Sequence, residues 1–364
     1  MKKSKYITNI ILFCLLIGIL TGFLFISPAT EISESERRKL QQFPELSFST
    51  LISGKFMKEF ETYMTDQFPL RDAFRKLKAK VHFDVYNQSD NGGIYIKDGY
   101  VSKIDATYSE SSTEHFTDRM TNLYNMYLKD ANCKVYYSII PDKNYYLAGE
   151  DYPSMDYEKL YAKVREDLSY MTEIDIRDTL TYESFYYTDT HWRQEKITAT
   201  AEKIRKEMGM TPLGEFAEEN AGDFYGVYYG QSALSLPAEP INYLRNEITD
   251  KATTYNYETE KEAPVYNKDK LTESLDRYDL FLSGPCSLMD INNPSGEKGK
   301  QLIIIRDSYG SSLAPLLMSD YEKTVLVDTR YIAPELIGNY VDFENSDVLI
   351  MYSTMLVNSS STIR

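Results

Sequence analysis

Six consecutive residues, Tyr187-Thr188-Asp189-Thr190-His191-Trp192, contain one of the three histidines and the sole tryptophan of this 364-residue chain. A carboxylate two residues before an imidazole can hold one ring nitrogen and fix the tautomer, leaving the other nitrogen to take a proton from a hydroxyl. The hydroxyl whose surroundings suit that role is Ser308, in Arg306-Asp307-Ser308-Tyr309-Gly310. Asp189, His191 and Ser308 would together form an activated-serine site for acyl chemistry.

Those residues need elements to bring them together. Gln301 to Ile305 is a continuous apolar run that predicts a buried strand, and Ser312 to Met318 predicts a helix despite Pro315. A serine between strand and helix sits where open α/β sheets bind ligands, and N–H groups there can receive a developing oxyanion. Asp307 would shape the turn. The plainer readings are an Asp-Ser helix cap and a structurally satisfied histidine.

Upstream, Lys134 to Pro141 reads as a strand, Tyr157 to Tyr170 as a helix and Glu173 to Arg177 as a second strand. Strand, helix, strand implies a parallel α/β sheet, with the hexapeptide following the second strand. In an extended loop Asp189 and His191 project to the same side. A helix then starts near Trp192 and ends at Gly209. Ile94 to Val101 predicts a hairpin around Asp98-Gly99, and a helix from Thr113 to Lys129, capped by Ser112 or Thr113, follows it. Lys323 to Asp328 and Asp347 to Met351 add strands. Between about 211 and 299 the pattern breaks down into an irregular strand-and-loop insertion, with Asp223 to Tyr229 expected as a strand, closing over the sheet end.

Ile7 to Ser27 carries no charge and follows Met-Lys-Lys-Ser-Lys. Such a run can cross a bilayer with its start in the cytoplasm and the main body outside. A cleavable signal at Ser27-Pro28-Ala29 is the competitor. The expected organisation is residues 1–28 as cytoplasmic tip and anchor, 29–90 as a polar lead-in and helical hairpin, and 91–364 as the main domain.

Lys2, Lys3 and Lys5 are three of the 40 basic residues, so the remainder sets 37 basic against 55 acidic residues, a formal −18. That balance argues against nucleic acid or anionic lipid as the main partner. No Cys-x-x-Cys or His-rich spacing points to a metal, and no cofactor motif is present. Cys133 and Cys286 are either a disulfide pair or two small buried residues. His82 and His115 read as structural or incidental.

The hexapeptide, the strand leading into Asp307-Ser308-Tyr309, and Asp328-Thr329-Arg330-Tyr331 after the next strand resemble the DHHW proteins and the related alginate O-acetyltransferases of the bacterial periplasm, within the SGNH-hydrolase-like group. Ser33-Glu34-Ser35-Glu36-Arg37, Pro141-Asp142-Lys143 and Phe224-Tyr225-Gly226 fit the same resemblance. It implies an Asp189, His191, Ser308 triad on a flavodoxin-like three-layer α/β/α sheet, acting in acyl transfer to or from polysaccharide hydroxyls. It also implies a membrane-bound O-acyltransferase as partner. The sequence has Thr190 where the family's name-motif has His, and no separate Gly and Asn oxyanion donors are identifiable. Ser308 N–H and Tyr331 are the oxyanion candidates, with Arg330, Asp307, Trp192 and Tyr309 as further oxyanion or substrate candidates. Two functions stay open: a serine-dependent O-acyltransferase or esterase, and a non-catalytic glycan-binding or scaffold module.

Overall fold

Apolar residues without a proline close the helix α1 (Lys2–Ile26), whose stretch Tyr6–Phe23 is long and apolar enough to cross a bilayer. The computed structural model describes residues 2–26 and 28–364, so Ser27 of the expected cleavage site lies outside the described residues. The chain divides into two units, residues 1–92 with 229–236, and residues 93–228 with 237–364.

In the first unit, α2 (Lys55–Asp66) and α3 (Arg71–Lys80) form the expected helical pair. Phe43 packs edge-on against Phe56, Phe60 and Tyr63. The polar lead-in is a charge clamp. Glu36 pairs with Arg71 at 2.6 Å and Arg75 at 3.2 Å, while Asp66 accepts from both terminal nitrogens of Arg38 at 2.9 and 2.5 Å. The Arg38 guanidinium holds the Asp66 carboxyl below its ordinary value.

The second unit opens with β1 (Ile94–Lys97) and β2 (Tyr100–Lys103), paired antiparallel. Asp98 and Gly99 both take positive φ, 51° and 83°, which is what a two-residue turn between right-twisted strands requires. Then α4 (Glu110–Leu123) begins at the Ser109 cap, three residues before the expected start, because Ser109 Oγ accepts from Ser112 N. The strand β3 (Lys134–Ile140) is as expected. The helix α5 (Tyr157–Asp167) follows, but the second strand shrinks to β4 (Thr172–Glu173), beyond which the chain bends into a short 3-10 turn at Arg177–Thr179. The helix α6 (Thr198–Glu207) starts six residues after Trp192 and ends, as expected, before Gly209 at φ 73°.

The region expected to cover the sheet end instead extends the sheet. A separate ladder of β5 (Ala217–Phe224) and β6 (Glu239–Arg245) comes first. The expected strand Asp223 to Tyr229 is not formed as such: β5 ends at Phe224, and a helix begins at Val227. Three strands follow, β7 (Thr253–Asn256), β8 (Lys261–Pro264) and β9 (Leu288–Asn292). They adjoin β10 (Glu297–Arg306), α7 (Gly310–Leu317), β11 (Tyr321–Val327) and β12 (Ser346–Ser353).

The eight-stranded order is β8-β7-β9-β11-β10-β12-β3-β4. The five strands from β11 to β4 are parallel, and β9, β7 and β8 continue the sheet antiparallel. The α/β class holds; the sheet is mixed rather than wholly parallel. Alternation along β10 sends Leu302 and Ile304 to one face with α6 and α7, and Ile303 and Ile305 to the other with α4 and α5. Two apolar cores therefore sandwich the sheet, and all polar groups at its carboxyl edge must be satisfied by loops.

Candidate active site

The hexapeptide folds as a tight hairpin rather than a post-strand loop. Phe185 bridges Trp192, Tyr186 N donates to the His191 carbonyl at 3.1 Å, and Arg193 N donates to the Ser184 carbonyl at 2.8 Å. That return places Asp189 beside His191. Asp189 Oδ1 accepts from the His191 amide at 3.0 Å and lies 2.6 Å from Nδ1, while Nε2 stands 2.8 Å from Ser308 Oγ. With the proton on Nδ1, Nε2 accepts the Ser308 hydroxyl. Asp189 is 1% and His191 9% exposed, and Ser308 is half-buried.

Long-range groups hold this hairpin. Asp189 Oδ2 accepts from Val227 N at 2.8 Å, so both carboxylate oxygens are fixed. Gly226 N donates to Thr188 Oγ1 at 2.8 Å, and a Cβ at Gly226 would stand 2.2 Å from the Thr188 carbonyl oxygen. Only glycine permits that approach. Glu239 accepts from Tyr187 N at 2.6 Å, Thr188 N at 2.9 Å and Thr188 Oγ1 at 3.1 Å. Burial pushes its carboxyl upward against those donors. Lys143 Nζ donates to the Val101 carbonyl at 2.7 Å and the Tyr187 carbonyl at 3.4 Å. Burial lowers that ammonium to about 7, although Asp189, Glu239 and Asp142 pull the other way. Tyr278 lies parallel to the His191 ring, centroids 4.0 Å apart, leaving the imidazole no freedom to tilt on that side.

The serine half is local. Asp307 Oδ1 accepts from Tyr309 N at 3.1 Å and Oδ2 from Ser353 N at 2.8 Å, so Asp307 shapes the turn as expected. Tyr309 and Trp192 are buried ties between the halves, not open contacts. The Tyr309 hydroxyl donates to the Thr190 carbonyl at 2.7 Å, and Trp192 Nε1 donates to Ser312 Oγ at 2.9 Å. Arg330 is engaged by Asp328 at 2.6 Å, and Tyr331 is exposed with its amide on the Asp328 carbonyl. Neither makes a hydrogen bond to Ser308. Among the described residues the Ser308 N–H has no acceptor, and no group of three or more His, Cys, Asp or Glu is placed to hold a metal.

The other histidines lie elsewhere: His115 contacts Ser360 and Arg119, and His82 meets Tyr86 edge-on. Cys133 and Cys286 are separate free thiols. A cavity of about 350 Å³ lies beside the triad, lined by Asp105, Lys143, Asn144, Tyr228 and Met355 among others, but not by Ser308 or His191. Thr190 Oγ1, in the hexapeptide, donates to Met355 Sδ of the cavity wall at 3.4 Å.

Sequence reasoning did not find Gly226, Val227, Glu239 or Tyr278. Only Phe224-Tyr225-Gly226 left a trace, as part of the expected strand and of the family resemblance. Residues 154–327 match the DHHW protein family. The DHHW span contains the hexapeptide, Gly226, Glu239, Tyr278 and Ser308. A solved DHHW family protein from Eubacterium siraeum superposes with a TM-score of 0.59 at 20% identity, covering 75% of this chain and 95% of that one. Bacillus cereus PatB1, solved with a sulfonyl adduct, gives 0.59 at 16% identity, covering 72% and 95%. These likenesses establish the fold. No curated protein matches the sequence.

Proposed function

We propose that the protein is a serine-dependent O-acyltransferase or esterase acting on polysaccharide hydroxyls outside the cytoplasmic membrane. The observation that carries this reading is the continuous chain from Asp189 Oδ1 to His191 Nδ1 at 2.6 Å and from Nε2 to Ser308 Oγ at 2.8 Å. Ser308 Oγ attacks the acyl carbonyl as His191 Nε2 takes its proton, and Asp189 holds the resulting imidazolium. The tetrahedral intermediate places its oxyanion at the Ser308 N–H, which has no competing acceptor. Collapse expels the donor's alcohol, protonated by His191, and leaves acyl-Ser308. A sugar hydroxyl, or water in the esterase, gives its proton to His191 and attacks the ester; Ser308 then departs and recovers the proton.

Glycan specificity and the partnership with a membrane-bound O-acyltransferase come from the resemblance to DHHW proteins and alginate O-acetyltransferases. The apolar helix α1 would keep the site beside such a partner.

The test uses the full chain in detergent with a chromogenic acetyl ester. Ser308→Ala and His191→Ala are each expected to lower turnover by at least ~10³-fold, toward the residual that binding and oxyanion stabilisation leave. A sulfonyl fluoride should label wild type and not Ser308→Ala. Equal background turnover and no labelling in all three proteins would favour the non-catalytic glycan-binding module instead.

A further inference from the structure

Arg306 is 1% exposed, yet among the described residues its Nε and Nη2 have no hydrogen-bond partner and no carboxylate lies within ion-pair distance. Burying a cation without a counter-charge opposes folding, so its retention calls for a reason other than stability. Nη1 makes two bonds, to the Asp307 carbonyl at 3.2 Å and Ser311 Oγ at 3.0 Å. The Asp307 carbonyl also accepts from Gly310 N at 3.2 Å.

That carbonyl belongs to the peptide unit whose N–H is Ser308's. In a trans peptide the two groups point in opposite directions, so anchoring the carbonyl on Arg306 aims the N–H away from it. A charged donor on the carbonyl oxygen also withdraws electron density through the amide and strengthens the N–H as a donor. Gly310 fits this arrangement: a Cβ there would stand 2.9 Å from Arg306 Cβ and 3.0 Å from Cγ and Cδ, so the turn leaves room for the arginine stem.

We infer that Arg306 is a positioning residue for acyl transfer, which orients and polarises the Asp307–Ser308 peptide so that the Ser308 N–H serves as the oxyanion donor. The inference rests on the serine-dependent function proposed above. It also fits a sequence that offers no identifiable Gly and Asn donors: one amide, reinforced from behind by a buried charge, carries that part of the work. The guanidinium touches neither acyl group nor acceptor, and its contribution grows as negative charge accumulates on the oxyanion.

The experiment measures kcat and KM of the detergent-solubilised full chain on the chromogenic acetyl ester for wild type, Ser308→Ala, Arg306→Met, Arg306→Lys and Ser311→Ala. Arg306→Met keeps the stem beside Gly310 and should lower kcat about 10- to 100-fold with KM within twofold, the size of one lost oxyanion-hole contribution or somewhat less. Arg306→Lys, which restores a charged donor, should recover part of kcat. Ser311→Ala frees Nη1 from its second anchor and should lower kcat severalfold; it decides the matter if Arg306→Met does not fold. Turnover that depends on Ser308 but stays within twofold of wild type in Arg306→Met, or in Ser311→Ala when Arg306→Met is unfolded, overturns this inference alone. A rise in KM at constant kcat overturns it as well, by assigning Arg306 to substrate binding. Equal turnover of wild type and Ser308→Ala overturns the parent function and this inference with it.

Discussion

The two halves of the site are built by opposite means. The Asp189–His191 hairpin is clamped from outside, by Val227, Gly226, Glu239, Lys143 and Tyr278, residues that lie from about 35 to almost 90 positions away in the chain. The Ser308 turn is held largely by its own neighbours, with Asp307, Gly310 and Arg306 within two residues of the serine, and from further away by Ser353, Trp192 and Thr190. A loop with no regular ladder of its own must borrow hydrogen bonds. A turn between a buried strand and a helix inherits its geometry from both. Damage to the hairpin's clamps should therefore reach stability and activity together, whereas damage to the turn should reach activity first.

The largest effect that bears on this contrast is expected for Asp189→Asn. The amide can still meet one neighbour, but it favours the wrong imidazole tautomer, so kcat should fall about 10³- to 10⁴-fold, read with the chromogenic ester. Gly226→Ala should be next. Its methyl would meet the Thr188 carbonyl, so the hairpin must shift, costing about 1–3 kcal/mol by urea unfolding and lowering kcat more than tenfold. Wild-type stability in this variant would break the idea that the hairpin is clamped from outside.

Glu239→Gln keeps one acceptor for the three donors from Tyr187 and Thr188 and should cost about 1–2 kcal/mol with a severalfold loss of kcat. Tyr309→Phe, on the serine side, removes the bond to the Thr190 carbonyl and should cost about 1 kcal/mol. A larger loss in Tyr309→Phe than in Glu239→Gln would reverse the proposed order of the two halves.

The last test is a pH slope. Burial depresses Lys143 to about 7 in the folded protein against about 10.4 when unfolded, so between those values the unfolded chain binds the extra proton. Stability from this group therefore rises from pH 7 to pH 10 and is flat below. Urea midpoints of wild type and Lys143→Met at pH 7, 8.5 and 10 should show wild type gaining on the variant as pH rises. Parallel curves would remove the lysine from the hairpin's electrostatics.

Much of this architecture was legible in the residues themselves. The apolar runs at 134–140 and 301–305 are short and rich in β-branched and aromatic residues, which favours buried strands over helix segments. Asp98-Gly99 specified its turn through the positive φ both positions accept. The spacing of Asp189 and His191 already allowed a carboxylate on one ring nitrogen. By contrast, the 253–264 segment carried only weak alternation, because an edge strand buries few side chains, and its role in extending the sheet antiparallel emerged from pairing with β9. The hairpin at 184–193 likewise hid behind a strand, helix, strand pattern that the sequence carried to Arg177 and the structure ends at Glu173.

The sequence by itself offered the residues on which the proposed chemistry rests, Asp189, His191 and Ser308, and the strand-turn-helix setting of the serine, since both depend on residue type and local period. Only the tertiary structure decided that Gly226 and Glu239 hold the hairpin, that Tyr278 covers His191, and that Arg306 lies buried behind the Ser308 amide. Those are close approaches between backbones, or charges stripped of water, and their energy depends on what stands opposite in space, which no local spacing encodes.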